Sequence, residues 1–400
     1  MNYTNRIISA VLDLEKYIFN NHYRGYDPYD GLKSPLFNLP FLRTNKTIRF
    51  GFQQFIKRFP INLRSLLLIK KGYNPVTLGL CIQAYGYLSK IIKDRKEEFI
   101  SKADYLIKEI EKLIPVEFSG ACWGYDFDWE SRYARIPAYQ PAIVATGIIT
   151  NAMFIFNKVT GNQKAKELLV SSANFVLNDV NRYYENNLIS DNHQSNTPFC
   201  FSYSPFDDLV VYNASMKGSR LLMQAYSLTK DSLLLESAAH SIEFVIHKQN
   251  DNGSWFYSAR KNGNWIDNYH TGYVLDCLSD YIQLSGDERF RKNLEHGIEY
   301  YINNLFVDSR IPKFYSNKTF PIDCTAAAQS ILTLTKFGYI DIAKNIADYM
   351  METMQDKDGH FYFRNYGKRT DMTSFMRWSN AWMLDKQIQN LSCYHYTIRQ

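Results

Sequence analysis

Apolar residues recur along most of the chain at the spacing i, i+3, i+4 and i+7, which is the period of an α-helix with one buried face. Short polar turns interrupt this pattern and divide the chain into helical hairpins. Turns fall at 160–162, 229–231 and 285–287, where Gly, Asn and Asp favour a helix end followed by a new N-cap. Five complete hairpins are predicted, at 74–113, 141–180, 211–250, 269–306 and 323–355.

Two further helical segments, 3–19 and 373–391, have no neighbour in sequence to pair with. If they pair with each other, they form a sixth hairpin and close the hairpins into a ring. The first helix of each hairpin is rich in Ala, Gly, Ser and aromatic residues, whereas the second carries more Lys and Glu, as expected of inner and outer helices. The sequence therefore predicts an all-α fold, an (α/α)6 barrel forming a single domain over 1–400, in which 21–73 is a rim insertion.

A short motif, Q-x3-G-x-W, ends the third predicted hairpin at Gln249, Gly253 and Trp255. It recurs over 355–361 with Phe in place of Trp. A Gln that caps backbone groups, a Gly at the turn and an aromatic plug suit the return of the chain from an outer helix to the next inner one. We therefore predict that these residues fasten the repeat and take no part in catalysis.

Composition and charge narrow the class of ligand. Hydrophobic residues make up 46% of the chain and aromatic residues 16%, with 30 Tyr, so the chain can form a core and flat, hydrogen-bonding surfaces of the kind that bind sugars. The net charge is +6, and basic residues cluster only in 55–73. That cluster is either a solvated face or the site of an anionic partner, such as an acidic glycan or a membrane surface. No nucleic-acid-binding motif accompanies it.

The charged residues of the first helix indicate where in the cell the protein is expected, and the spacing of the cysteines indicates whether it binds a metal. Asp13, Glu15 and Lys16 interrupt the apolar pattern of the first helix, which argues against a signal peptide, and no apolar run reaches about 18 residues. A cytoplasmic protein is expected. The six cysteines include no CxxC pair, so we expect buried free thiols and no bound metal. The sequence has no Gly-rich phosphate loop, G-x-S-x-G elbow or HExxH motif, and no cofactor is predicted.

Candidate site residues concentrate in the loops that lead into the inner helices, whose N-terminal ends converge on one mouth of the barrel. The densest loop is 119–143, where Trp and Tyr can stack on sugar rings, Asp can transfer protons and Arg can bind carboxylates. The alternative is an ordered loop held by salt bridges. Its candidate residues are Trp123, Tyr125, Asp126, Asp128, Trp129, Arg132, Arg135 and Gln140.

Later loops contribute to the same mouth. In 201–215, the adjacent Asp207 and Asp208 either share a pocket, which would raise the pKa of one of them, or cap the next helix. In 264–276, His270 is either an acid–base catalyst or a buried structural histidine. The further candidates are Tyr203, Tyr212, Asn213, Trp265, Asp267 and Tyr269, followed by Asp323, Arg364, Asn365, Arg369, Arg377 and Trp378 in the last repeats.

Two reaction types fit these residues. A glycoside hydrolase needs two carboxylates across the scissile bond, one from 119–143 and one from a later loop. The candidates for this pair are Asp126, Asp128, Asp207, Asp208 and Asp267. A uronate lyase or C5-epimerase needs a base, an acid and a group that neutralises the carboxylate. Tyr212 or Tyr269 would exchange the proton with His270, and Asn213 or Arg132 would hold the carboxylate.

The six-hairpin pattern covers nearly the whole chain and resembles that of the six-hairpin glycosidase superfamily, which includes unsaturated glucuronyl hydrolases and N-acylglucosamine 2-epimerases. The segment 221–238 is similar to the helical domain of glucuronyl C5-epimerases. The segments 25–35, 58–75 and 123–129 resemble proteins of bacterial exopolysaccharide and capsule gene clusters. These resemblances imply a carbohydrate-active enzyme of surface-polysaccharide metabolism. It would act on an acidic glycan, in a hydrolase-like way through carboxylates, with a peripheral contact to membrane-bound polysaccharide machinery.

Two other classes are kept as alternatives. The Q-x3-G-x-W motif and the D-C-T-A sequence at 323–326 resemble motifs of squalene and oxidosqualene cyclases, but Ala327 stands where that family has Glu. A deep aromatic cavity around Asp323 would favour a cyclase. A non-catalytic scaffold that binds a glycan or a partner protein is the third class, and binding without turnover would favour it.

Overall fold

The computed structural model describes residues 3–132, 134–185 and 197–397, and within these ranges it contains fourteen α-helices. They are α1 (Tyr3–Asn20), α2 (Pro40–Thr44), α3 (Lys46–Arg58), α4 (Pro75–Ile91), α5 (Lys96–Glu111), α6 (Ile143–Thr160), α7 (Gln163–Asn178), α8 (Tyr212–Thr229), α9 (Ser232–Ile246), α10 (Asn268–Ser285), α11 (Arg291–Asn304), α12 (Cys324–Lys336), α13 (Ile340–Thr353) and α14 (Trp382–Thr397). A π-helical turn, Met376–Ala381, leads into α14.

Nine short strands lie in the connections between helices of the described chain. They are β1 (Trp129–Glu130), β2 (Arg135–Ile136), β3 (Arg182–Tyr184), β4 (Phe199–Phe201), β5 (Phe306–Val307), β6 (Ile311–Pro312), β7 (Ile322–Asp323), β8 (Tyr362–Asn365) and β9 (Thr370–Ser374). The first six pair as antiparallel hairpins, and β7, β8 and β9 form a three-stranded antiparallel sheet.

The helices form two concentric rings. The inner ring consists of α4, α6, α8, α10, α12 and α14, each in contact with the next, and α14 in contact with α4. Each inner helix packs against one outer helix, in the order α5, α7, α9, α11, α13 and finally α1, which packs against α14. The predicted (α/α)6 barrel is therefore confirmed, including its closure by the first and last helices.

Small residues allow the inner helices to lie close together. A Cβ added at Gly147 of α6 would lie 2.9 Å from the Cβ of Lys217 on α8, and one at Gly272 would lie 2.9 Å from the Cγ of Gln329 on α12. The helix α6 is also long and apolar enough to cross a membrane, but 61% of that stretch is buried within the barrel. Its apolar composition is thus explained by its inner position. The five cysteines whose side chains the structure describes are buried and unpaired.

The turns between paired helices end as their residues predict. Gly161 closes α6 with φ of +75°, and the side chain of Asn162 accepts a hydrogen bond from the backbone N–H of Ala165 to start α7. Lys230 closes α8 in the left-handed region, and Asp231 caps α9. These local signals fix where each hairpin turns.

The Q-x3-G-x-W motif fastens one hairpin to the next. The side-chain amide of Gln249 donates to the carbonyl oxygens of Gly253 and Asn293, both at 2.9 Å. The indole N–H of Trp255 donates to the carbonyl oxygen of Val245 at 2.9 Å. The second copy of the motif makes the same contact across the ring closure, because Gln355 donates to the carbonyl oxygen of Ala10 in α1. The motif thus has the contacts expected of a structural fastener.

The segment 21–73 lies against the barrel mouth and is anchored by buried ion pairs. The guanidinium of Arg377, in the π-helical turn, donates to both carboxylate oxygens of Asp27 at 2.6 and 2.9 Å. Arg64 donates to the carboxylate of Asp30 at 2.7 Å and to the carbonyl oxygen of Asp27 at 2.8 Å. All four residues are buried. Short helices of the segment are thereby held over the ends of the inner helices.

Replacement of Gly253 by Ala tests the fastener. Gly253 has φ of +87°, and an added Cβ would overlap the carbonyl oxygen of His296, so both strain and a clash oppose the side chain. We expect Gly253→Ala to destabilise the protein by about 2–4 kcal/mol, measured as a shift in the urea unfolding midpoint.

The matched control is Gly286→Ala, at a turn with φ of +74° and open space around the added Cβ. This control carries the backbone strain alone, and about 1 kcal/mol is expected. Equal losses in the two variants would show that Gly253 is required only for its backbone conformation.

Candidate active site

A cavity with two connected chambers opens at the N-terminal ends of the inner helices. The outer chamber has a volume of about 480 Å³ and the inner one of about 120 Å³. Asp267, the N-cap of α10, lines the outer chamber, and Thr325, in the first turn of α12, lines the inner one. The residues shared by the two chambers are Tyr29, Trp129, Tyr257, Tyr269 and His270.

More basic than acidic side chains line the outer chamber. Its cationic residues are Lys57, Arg58, Arg132, Arg260 and Arg364. Among the described residues that line it, the carboxylates are those of Glu130 and Asp267, and both are engaged. Glu130 accepts from Arg49 at 2.7 Å, and Asp267 accepts from the Trp265 indole and from His270. Basic side chains therefore outnumber acidic ones in the lining of this chamber.

Asp267 and His270 form a hydrogen-bonded pair at the start of α10. One carboxylate oxygen of Asp267 accepts from the backbone N–H of His270 at 2.9 Å, which caps the helix, and the other lies 2.6 Å from the imidazole Nδ1. The Trp265 indole donates to that second oxygen at 3.1 Å. A carboxylate at Nδ1 holds the proton there and leaves Nε2 as the unprotonated nitrogen of a neutral imidazole.

Aromatic rings line the walls around His270. The ring of Tyr257 stacks on that of Trp265 with centroids 4.7 Å apart, and Trp129 stacks on Tyr203 at 5.4 Å. The ring of Tyr269 lies 4.1 Å from that of His270, and Tyr257 lies 4.6 Å from it. Burial raises the pKa of Tyr257 and of Tyr269 above the ordinary value. These phenols therefore remain protonated at neutral pH.

A residue of the inner chamber has an unsatisfied donor. The side-chain nitrogen of Asn213, at the start of α8, is buried and has no hydrogen-bond partner among the residues that the structure describes. Arg377 lines the same chamber, held by Asp27, with its guanidinium 4.8 Å from the ring of Tyr125. A buried donor without a partner costs free energy, so a ligand that accepts from Asn213 gains the bond that the free protein lacks.

Asp323 lies behind the cavity wall. Its side chain is fully buried, accepts from Arg364 at 2.6 Å and from the Trp378 indole at 3.2 Å, and caps α12 through the backbone N–H of Ala326. The inner chamber is aromatic, as a cyclase would require, but Asp323 does not line it. Its carboxylate is occupied as an acceptor and orients Arg364 and Trp378, so nothing supports a role as a cyclase acid.

Of the five aspartates predicted for the carboxylate pair, Asp126, Asp128, Asp207 and Asp208 lie outside the lining of both chambers. Asp126 is buried between Lys33 at 2.8 Å and Asn74 at 2.7 Å. Asp128 is paired with Arg135 at 2.7 Å, as the salt-bridge alternative for this loop predicts. Asp208 is exposed. The structure thus does not bring these carboxylates together.

The prediction that Asp207 or Asp208 caps the next helix is wrong. Asp207 closes its own loop by accepting from the backbone N–H groups of Tyr203 and Leu209, and the N-cap of α8 is Val211, without a side-chain hydrogen bond. The local Ser-x-x-Asp geometry at Ser204 satisfies the carboxylate before the chain reaches the helix.

Some of the other candidate site residues line the cavity, and the rest lie in the core or in loops outside it. Trp123 is fully buried and donates to the carbonyl oxygen of Ile110 at 2.8 Å, which makes it part of the core. Tyr212, Gln140 and Arg135 do not line either chamber. The candidates that the structure brings together in the two chambers are Tyr125, Trp129, Arg132, Tyr203, Asn213, Trp265, Asp267, Tyr269, His270, Arg364, Arg377 and Trp378.

Several lining residues were not among the predicted candidates. Tyr29 and Lys57 come from the segment 21–73, and Tyr257, Phe314 and Tyr315 come from loops between later repeats. The basic cluster in 55–73 was the one sequence signal that pointed toward Lys57. Nothing in the local sequence shows that this cluster folds over the mouth.

A possible metal-ligand group lies away from the cavity. Asp356, Asp358 and His360 have ligand atoms within 4.8 Å of one another, on the turn after α13. These carboxylates already accept from Tyr362 and from groups of their own turn. None of the three residues lines either chamber, so the candidate active site involves no metal ligand of this group.

No protein-family model and no curated protein sequence matches the chain. Solved structures do match. Cellobiose 2-epimerase from Bacillus thermoamylovorans is 12% identical, with 80% of this chain and 88% of that chain covered and a TM-score of 0.57. An unsaturated glucuronyl hydrolase specific for heparin is 12% identical, with 81% and 87% covered and a TM-score of 0.57. A polysaccharide lyase is 10% identical, with 100% and 99% covered and a TM-score of 0.57. These similarities establish the six-hairpin barrel fold.

The Asp267–His270 pair predicts a defined imidazole tautomer. In nitrogen NMR spectra of protein labelled in histidine, we expect the neutral form of His270 to carry its proton on Nδ1. In Asp267→Asn, the single amide oxygen cannot accept from both the helix N–H and the imidazole, so the proton should move to Nε2.

Asp358→Asn, at the exposed contact with His360, is the control and should leave the signals of His270 unchanged. His270→Gln identifies those signals by their loss. An unchanged tautomer in Asp267→Asn would mean that Asp267 only caps α10.

Proposed function

We propose that the protein is a carbohydrate-active enzyme, a lyase that removes the proton next to the carboxylate of an acidic sugar. The observation that carries this proposal is the oriented imidazole of His270 in an aromatic, cationic cavity whose two lining carboxylates are both engaged. A hydrolase needs a carboxylate pair across the scissile bond, and of the aspartates predicted for that pair only Asp267 lines the cavity. Solved structures with this fold include a polysaccharide lyase, so the scaffold is compatible with the chemistry.

His270 acts as the base in the proposed reaction. Its Nε2 takes the proton from C5 of the uronate, and Asp267 stabilises the resulting imidazolium. The amide of Asn213 donates to the uronate carboxylate and favours the negative charge that develops there. The two electrons of the C5–H bond become the double bond between C4 and C5.

Tyr269 acts as the acid. The bond from C4 to the leaving oxygen breaks, its electron pair stays on that oxygen, and the phenol of Tyr269 supplies the proton. The Tyr269 and His270 rings are adjacent, with centroids 4.1 Å apart, so base and acid reach the sugar from one face. This arrangement favours elimination over C5 epimerisation, which needs the acid on the opposite face. The elimination needs no oxidant or reductant, and so no redox cofactor.

The glycan is proposed to be a bacterial surface polysaccharide, of the capsule or exopolysaccharide type. The support is the similarity of the segments 25–35, 58–75 and 123–129 to proteins of such gene clusters. Each of these segments contributes a lining residue, namely Tyr29, Arg58 and Trp129, which links the similarity to the cavity.

Incubation with a panel of uronate-containing polysaccharides in heavy water tests the reaction. A lyase gives a C4–C5 double bond, visible by NMR and by ultraviolet absorbance. We expect His270→Gln and Tyr269→Phe to lower the rate by about 10²-fold to 10⁴-fold, because each removes one proton-transfer group. His247→Gln, on the exposed end of α9, is the matched control with unchanged rate.

Other products would contradict the lyase. Deuterium at C5 without cleavage would indicate an epimerase, and a new reducing end without a double bond would indicate a hydrolase. Asp128 lies outside the cavity lining, so the proposed lyase does not use it. Loss of activity in Asp128→Asn would therefore restore the hydrolase interpretation. Binding of a glycan without any product would indicate a scaffold.

A further inference from the structure

Two cations in the outer chamber come from opposite parts of the chain. Lys57 is on α3, within the segment 21–73, and Arg364 is on β8, after the fifth complete hairpin. Both line the outer chamber, and so does the exposed neighbour Arg58. The ion pair between Asp27 and Arg377 holds the segment where Lys57 can face Arg364.

Lys57 has no carboxylate partner in the part of the chain that the structure describes. Its ammonium group donates to the phenol oxygen of Tyr29 and lies 3.9 Å from the centre of that ring. The nearby Asp323 is already the acceptor for Arg364 and Trp378. Asp323 therefore pairs with Arg364 and leaves Lys57 without an ion-pair partner among the described residues.

Arg364 also keeps hydrogen-bonding capacity for a ligand. Its Nε donates to Asp323 at 2.6 Å, and its guanidinium lies against the rings of Phe314 and Phe363 at 4.8 and 4.5 Å. The bond to Asp323 fixes the plane of the guanidinium. A fixed guanidinium beside an ammonium group suits the recognition of a carboxylate or a sulfate.

We propose that Lys57 and Arg364 form a second anion-binding subsite, which takes the carboxylate or sulfate of the sugar next to the one that reacts at His270. This inference rests on the proposed action on an acidic glycan and narrows its substrate. The glycan carries acidic groups on neighbouring sugars, one held in the inner chamber near Asn213 and the next held in the outer chamber.

The subsite couples ligand binding to a proton. Burial lowers the pKa of Lys57 well below its ordinary value, and repulsion by Arg364 lowers it further. The other charged or titratable groups that face Lys57 are Asp323, Arg58, Asp27 and Tyr29. A bound anion favours the charged ammonium and raises the pKa. Binding therefore takes up a proton wherever free Lys57 is neutral, and affinity for the anion falls as pH rises through that range.

Inorganic sulfate is the probe. Sulfate stays fully ionised near neutral pH, so a proton taken up on binding goes to the protein. Titration calorimetry in two buffers of different ionisation enthalpy measures that uptake, over a series of pH values. We expect the wild type to bind sulfate with proton uptake, and Lys57→Gln to lose the uptake and bind about tenfold more weakly.

Two further variants make the result specific. Lys57→Arg keeps the positive charge at every pH, so it should bind sulfate without proton uptake. Lys70→Gln, an exposed lysine of the same segment, should match the wild type. Circular dichroism of each variant checks that it is folded. Equal sulfate binding in the wild type and Lys57→Gln would overturn the subsite, and binding without proton uptake in the wild type would overturn its coupling to the proton of Lys57.

The test is independent of turnover. If sulfate binds with uptake while no glycan is cleaved, the subsite stands and the lyase proposal fails. Once a cleaved glycan is found, esterification of the acidic group on the neighbouring sugar should raise KM about tenfold in the wild type and little in Lys57→Gln. An equal rise in both would assign that acidic group to a different part of the cavity.

Discussion

The ion pair between Asp27 and Arg377 fixes the segment 21–73 to the mouth of the barrel. It joins the start of the segment 21–73 to the π-helical turn before α14, and both side chains are buried. Removal of one partner from such a pair leaves an uncompensated buried charge, which costs about 3–5 kcal/mol. Arg64 extends the link through Asp30 and the backbone of Asp27. Buried ion pairs therefore hold the segment 21–73 in place as part of the cavity wall.

The candidate site is divided between this segment and the barrel. His270, Tyr269 and Asn213 stand at the N-terminal ends of inner helices, where packing fixes them. Tyr29 and Lys57 come from the segment, and Tyr29 lines both chambers. A rigid barrel thus carries the proposed chemistry, while a separate piece of chain shapes the entrance and its charge. Such a division allows the ligand to change with the segment while the barrel keeps its packing.

The sequence was sufficient for the barrel because its signals are local. Helical periodicity, turn residues such as Gly161 and Asp231, and small residues on the first helices each report on a few neighbouring positions. The same holds for Asp267 and His270, which are three residues apart at a helix start. Side-chain direction in a loop is different. Asp126 and Asp128 stand out in the sequence for the density of their loop, yet both form ion pairs outside the cavity lining, and Lys57 and Arg364 come to line one chamber only through the tertiary fold.

The contact of α1 with α14 also determines how the chain can fold during synthesis. Helix α1 is made before α14, but its apolar residues Ile7, Val11, Leu14 and Ile18 are buried in the complete barrel, where α1 packs against α14. Until α14 has emerged from the ribosome, α1 lacks this partner, and so does the edge of α4 that α14 contacts. The growing chain therefore exposes apolar surface until α14 is made, and ring closure joins helices that lie far apart in the sequence.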